Sequence, residues 1–309
     1  MEIHTTDLTR ECKRQRHLEL QSLSVGFTTT ALFRGNLGHG ALETLHRDYD
    51  PADWDEDVGS ECVCAGIKIA HQKAEEDKRP ISAAVERDVL KIAGEVEVLV
   101  QHYIRRFKEY FSQCHLLGVE VPVRCTISVD GEPVEFASHI DLLFVGPEYW
   151  DAHSEFVVRP WDWKFKEQAP TREASERSLQ MGSYGYSVAN GRVLIGEEWQ
   201  RLEADVARVA IVDMMRCLPY KQGGSSTSPD GSKRKYAKGD DRSLSRIIHQ
   251  TTIDESGRKR WLSDFEDHVR MARAGLWPKS PDPIRCKLCD VQVHCEGYSD
   301  EQQSTDGAW

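Results

Sequence analysis

Long apolar runs are missing from this chain of 309 residues. No window approaches the ~18 uncharged apolar residues a membrane-spanning helix needs. The opening stretch, MEIHTTDLTRECKRQRHLEL, is polar and charged from its second residue, which is not the pattern of a secretory signal. A G-x4-G-K-[ST] segment is also absent, which excludes a nucleotide-driven motor of the P-loop type. Positive charge is in deficit, with 40 Lys and Arg against 51 Asp and Glu and a net charge of −11. That balance argues against a general nucleic-acid coat protein, while leaving room for a local basic groove. No internal repeat is found. The expected location is the cytoplasm, because nine cysteines without a secretory signal fit a reducing compartment better than a disulfide framework.

What remains is a soluble globular composition, 39% hydrophobic and 29% charged, long enough for one large domain or two ordinary ones. Residues 5–46 read as two helical pieces around a polar break, the second of them GNLGHGALETLH. Val85, Val89, Ile92, Val96, Leu99, Tyr103 and Phe107 keep one face apolar and predict a helix over 83–111. Val119, Val121, Val123, Cys125, Ile127 and Val129 then alternate with period two, and Asp130-Gly131 signals a turn. Strands are expected over 135–145, 155–165 and 206–215, with helices over 172–189 and around Leu262, Phe265, Val269 and Ala272. Residues 218–242 are rich in Gly, Ser and Lys and read as a mobile loop. Its cations, Lys221, Lys233, Arg234, Lys235, Lys238 and Arg242, are interleaved with Tyr220 and Tyr236, a composition that suits either a single nucleic-acid strand or plain solvation. The order of elements points to an α/β fold with a central mixed sheet flanked by helices.

Candidate chemistry concentrates in two places. In WDWKF, Asp162 and Lys164 project from one face of a strand while Trp161, Trp163 and Phe165 take the other. Asp141, toward the end of the preceding strand, would join them if the two strands are hairpin neighbours. Two carboxylates and a lysine suit phosphodiester hydrolysis with Mg2+ or Mn2+, and the bland reading is a surface ion pair of little energetic worth. Gln180 and Tyr184 fall on one helical face, and His39 is expected at the start of a helix with Gly35 four residues before it. The second place is CKLCDVQVHC, where Cys286, Cys289 and Cys295 make three quarters of a metal site. Zinc is one reading, with His294 or Cys12 as fourth ligand. The Cys62–Cys64 pair either competes for metal or is idle, and Cys114, Cys125 and Cys217 read as packing.

The ordered set Cys12, Gly35-x3-His39, Asp141, Asp162-x-Lys164, Gln180-x3-Tyr184 and Cys286-x2-Cys289-x5-Cys295 resembles the RecB-type branch of the PD-(D/E)xK nucleases. It is most similar to the iron–sulfur members, such as the stand-alone CRISPR-associated nuclease and related phage exonucleases. The likeness spans residues 6–298. Ile140 stands where the signature has proline, and CKRQRHL lacks the proline that often follows the first cysteine.

The resemblance implies a restriction-endonuclease-like fold whose N- and C-terminal segments meet at a 4Fe–4S cluster held by Cys12, Cys286, Cys289 and Cys295. It implies that His39, Asp141, Asp162 and the backbone carbonyl of Trp163 bind the catalytic metal, that Lys164 is the catalytic lysine, and that Gln180 and Tyr184 contact DNA. The expected organisation is a single nuclease domain over 1–309. Within it, 1–118 is a helical part, 119–216 the core, 217–257 a basic insert, and 258–309 the last helix and cysteines. The implied activity is a DNA exonuclease acting on ends, preferring single strands, in a bacterial, archaeal or phage-infected cell. Recombination or CRISPR adaptation would supply any protein partners. An inactive nuclease fold serving as a DNA-binding adaptor, and a nuclease acting on RNA, are the competing readings.

Overall fold

The computed structural model describes residues 2–4, 7–8, 27–148, 153–166, 179–202, 207–215, 225–227, 233–235 and 248–276. Cys12, Cys217, Cys286, Cys289 and Cys295 lie outside the described residues, as does most of the basic insert.

A short strand β1 (Glu2–His4) precedes three helices, α1 (Thr30–Asp48), α2 (Glu56–Glu76) and α3 (Ala83–Phe111). Each begins where a short polar side chain can accept an otherwise orphaned N–H. Thr29 caps α1 through Leu32 N–H at 3.3 Å, Asp55 caps α2 through Val58 N–H at 2.8 Å, and Ser82 caps α3 through Val85 N–H at 3.4 Å. The helix expected over 83–111 is found with those bounds, and its apolar stripe is buried. α2 was not foreseen.

Three strands follow as a meander: β2 (His115–Val129), β3 (Glu132–Gly146) and β4 (Val157–Lys166), each antiparallel to the one before. Helix α4 (Leu179–Asn190) leads to the short strands β5 (Arg192–Ile195) and β6 (Glu198–Gln200), then to β7 (Ala207–Met215). β7 returns parallel to β4. A parallel return needs a long crossover, and the segment through α4 supplies it. β8 (Ser225–Thr227) and β9 (Lys233–Lys235) form a separate two-stranded ribbon, and β10 (Ile248–Ile253) leads into α5 (Glu255–Arg273).

The main sheet has eight strands in the order β10-β7-β4-β3-β2-β5-β6, with β1 added beside β3. Its first face packs Leu142, Phe144, Trp161 and Trp163 against α1–α3. Its second face packs Val121, Val123, Ile140 and Leu143 against α4, and Cys125, Ile127 and Phe136 against Trp261, Phe265 and Val269 of α5. Burial of Cys62, Cys114 and Cys125 raises their thiol pKa values to about 12, 11 and 11, so they act as packing groups. Cys64, two residues along α2 from Cys62, is exposed, so the pair does not chelate one ion.

One irregularity positions everything that follows. β4 lies beside Leu142–Gly146 of β3, and β1 lies beside Glu135–Ala137 on that same strand. Residues 138–141 are left in the gap between these two neighbours.

Candidate active site

At that gap both central strands change faces. Val119 and Leu142 belong to the α1–α3 core, whereas Val121 and Ile140, the next pair along, belong to the α4 core. The switch falls on Glu120 and Asp141. Glu120 takes φ of 48°, a left-handed conformation that costs a non-glycine residue ~1–3 kcal/mol and persists only where the surroundings enforce it. The ladder between β3 and β4 stops at Leu142–Trp161, and a side chain takes over: Trp163 N–H donates to Asp141 Oδ2 at 2.8 Å. In an extended strand the N–H and C=O of one residue face the same edge, so the Trp163 carbonyl faces this gap too.

His39 reaches Asp141 from above, Nδ1 to Oδ2 at 3.3 Å. It does so from the middle of α1 rather than from a helix start, contrary to the sequence expectation. The glycines around it read as breakers but serve close packing. A Cβ on Gly38 would come within 2.3 Å of the Phe165 ring on β4, and one on Gly40 within 2.9 Å of Ile69 on α2. Burial, then the Lys164 charge, holds the His39 pKa down to about 4. The imidazole is therefore neutral near pH 7, the form that binds metals.

Asp141 is pushed the other way, up to about 7, first by burial and then by the Asp162 charge. Glu120 is raised by burial and then by Asp141. His39, Glu120 and Asp141 place one donor atom each within 4.8 Å of one another. Among the described residues this is the one such group. Glu120 was missed from sequence because a polar residue in an alternating strand reads as a solvent-facing one. Only its backbone conformation marks it.

Asp162 forms the other half. Its side chain projects opposite Trp161 and Trp163, as the strand period requires, but it is buried, at 0% exposure, beneath α4. Three donors converge on its Oδ1: Lys164 Nζ at 2.7 Å, Gln180 Nε2 at 2.7 Å and Tyr184 Oη at 3.2 Å. Gln180 Nε2 also donates to Tyr184 Oη at 3.0 Å, which ties the i,i+4 pair together. Gly182 and Gly185 let α4 pack closely on Trp261 of α5 and Ile253 of β10, where a Cβ would come within 2.9 and 2.4 Å. The structure thus gathers His39, Asp141, Asp162, Trp163, Lys164, Gln180 and Tyr184 around one gap, and adds Glu120.

A hard divalent cation fits this set. Carboxylates and a neutral imidazole are suitable ligands. Asp162 Oδ2 is buried and has no hydrogen-bond partner among the described residues, an arrangement that costs ~1–3 kcal/mol or more for a charged group. A metal oxygen bond would satisfy it.

Comparison with known proteins bears on what the set does. The search of curated proteins finds no match. Among solved structures, that of SSO0001 matches at 14% identity and a TM-score of 0.37, covering 96% of this chain and 85% of the other. The model of the PD-(D/E)XK nuclease superfamily matches residues 8–296. The sheet flanked by helices is consistent with the restriction-endonuclease-like fold of nucleases that use divalent metals such as Mg2+ or Mn2+, a candidate acidic and histidine site is present at its central gap, and the chain belongs to the PD-(D/E)XK nuclease superfamily.

Proposed function

We propose that this chain is a RecB-type, metal-dependent DNA exonuclease, a single domain working on DNA ends and preferring single strands. The observation that carries the catalytic reading is the Asp162 carboxylate, buried with Lys164, Gln180 and Tyr184 on one oxygen and, among the described residues, no hydrogen-bond partner on the other. In this reading His39, Asp141, Asp162 and the Trp163 carbonyl hold Mg2+ or Mn2+. When bound, the ion polarises the phosphate and lowers the pKa of a coordinated water. Lys164 orients the attacking water and balances charge developing on the phosphate. Gln180 and Tyr184 fix Asp162 and touch the substrate strand. Retention of the whole set argues against an inactive adaptor. End-labelled single- and double-stranded DNA, incubated with and without Mn2+, tests the proposal directly. Metal-dependent release of mononucleotides or short products from the labelled end is expected, faster on single strands. Internal cuts in circular DNA, or cleavage of RNA alone, would overturn the exonuclease or DNA assignment.

Glu120 joins the ligand set in this reading, with a consequence for pH. Asp141 and Glu120 have folded-state pKa values above their unfolded ones. Each therefore takes up a proton on folding, and the stability these two carboxylates contribute to the metal-free protein is lost as pH rises from about 4 to about 7, while the depressed pKa values of His39 and His46 act in the opposite sense. Protons and metal compete for the same oxygens. Mn2+ should accordingly raise the melting temperature more at pH 8 than at pH 6, and Glu120→Gln should weaken Mn2+ binding about tenfold. A Glu120→Gln protein with unchanged Mn2+ titration would remove Glu120 from the ligand set.

The 4Fe–4S cluster on Cys12, Cys286, Cys289 and Cys295 completes the proposal. Four thiolates from the two chain ends would close a loop of nearly the whole chain, which is where a covalent clasp stabilises most. Protein purified without oxygen should be brown, and Cys12→Ser should remove both colour and stability. A colourless protein with one equivalent of zinc would replace the cluster and leave the nuclease reading standing.

A further inference from the structure

β2 runs away from the candidate metal centre, and its solvent face is open. Buried Val121, Val123, Cys125 and Ile127 point to the α4–α5 side, so Arg124 and Thr126 share the face on which Val119 packs toward α1–α3. The helices do not extend this far, and Arg124 is exposed. β5 then places Arg192 directly opposite Arg124 in antiparallel register, also exposed. Leu194 pairs with Trp199 of β6 on the same face, and the Arg124 guanidinium lies 5.3 Å from the Trp199 ring centroid.

Two like charges directly opposite on neighbouring strands destabilise a sheet. Among the described residues neither Arg124 nor Arg192 makes an ion pair. The carboxylate one residue pair along the same face, Glu135, is already engaged by Thr126 Oγ1 at 2.7 Å. On a chain with net charge −11, an uncompensated arginine pair against an exposed indole is a feature the fold does not need. Planar guanidinium groups bind phosphate through paired N–H donors, and an indole offers a stacking surface to any base.

The patch is also in line with the centre. Glu120 and Arg124 are four residue steps apart on one extended strand, about 13 Å. Between them on β3 lies His139, exposed and paired with Pro122.

We propose that the open face of β2, β5 and β6 is a track for one DNA strand, with Arg124 and Arg192 gripping phosphates a few nucleotides from the scissile bond and Trp199 stacking on a base. The proposal rests on the nuclease reading for where the strand goes, so its test reads binding apart from cleavage. The probe is a fluorescein-labelled oligothymidylate of about 16 nucleotides, followed by anisotropy in chelator, so that no cleavage occurs. Arg124→Gln/Arg192→Gln should weaken binding at least tenfold and flatten the logarithmic salt slope by about 1.4, the value for two lost phosphate contacts on a single strand. Arg124→Lys/Arg192→Lys should recover most of that slope. Trp199→Ala should cost roughly tenfold and Trp199→Phe much less.

Equal affinity and equal salt slope in the Gln double variant, at an unchanged melting temperature, would overturn the track. So would a wild-type protein that binds no oligonucleotide, or one that binds a duplex of the same length as tightly through the same arginines. Arginine-dependent binding without any metal-dependent cleavage would keep the track and remove the exonuclease.

Discussion

Lys164→Met is expected to lower metal-dependent DNA cleavage by about a thousandfold or more while leaving the protein folded and able to take up Mn2+. Lys164 is, among the described residues, the one cation in contact with Asp162, at 2.7 Å. Methionine keeps the aliphatic stem along β4 and removes only the charged head. Asp162 Oδ1 would still accept from Gln180 and Tyr184, so the carboxylate remains held where it is. What disappears is a positive charge near both the ligand oxygens and the phosphate, and its absence is felt most when charge builds in the transition state. End-labelled single-stranded DNA with Mn2+ measures the loss, and Mn2+ titration of the same sample verifies the site. Full cleavage by Lys164→Met would sink the assignment of the lysine. Asp162→Asn should lose activity and metal affinity together, since it removes the negative charge and replaces one of the two oxygens by an amide nitrogen.

Much of this architecture was legible because it rests on short-range periodicity. The stripe from Val85 to Phe107 gave α3 its bounds, and the alternation from Val119 to Val129 gave the inner part of β2. The WDWKF segment gave the correct faces of β4, because burial of two tryptophans leaves no other register. α2 was not legible. Gly59, Gly66 and the Cys62-Val63-Cys64 run are poor helix formers, and their choice reflects contact with α1 and α3 rather than local propensity. β5, β6 and β10 are too short, or too dependent on their partners, to stand out. Within the site, His39, Asp141, Asp162, Trp163, Lys164, Gln180 and Tyr184 all lie at the gap. Glu120 did not emerge, because the break in β2 and β3 that turns it inward is a property of two strands at once. The burial of Asp162 under α4 was equally a tertiary fact, made by Gln180 and Tyr184 closing over it.

Gly66→Ala should destabilise the protein by about 2 kcal/mol and weaken Mn2+ binding along with it. A Cβ on Gly66 would come within 2.4 Å of the Leu37 carbonyl oxygen and 3.0 Å of the Ala41 nitrogen. Both are backbone atoms of α1, so no rotamer change relieves the contact, and the clash belongs at the upper end of overpacking costs, about 3 kcal/mol. Alanine returns about 1 kcal/mol through its better helix propensity, which leaves the net loss. The strain lands on the turn of α1 between Leu37 and Ala41, the turn that carries His39. That turn is pinned on another side as well, where Gly38 lies under Phe165. α1 cannot absorb the new methyl without moving the imidazole-bearing turn relative to Asp141, which is why a substitution on α2 should be felt at the proposed metal site. Gly94→Ala supplies the opposite sign on α3: a Cβ there meets nothing within 4 Å, so the same exchange should stabilise by up to about 1 kcal/mol and leave Mn2+ binding alone. Thermal melts of both variants, with and without Mn2+, check the pair. A Gly66→Ala protein as stable as the parent, with unchanged Mn2+ binding, would show that α1 and α2 set the position of His39 far less tightly than their contacts indicate.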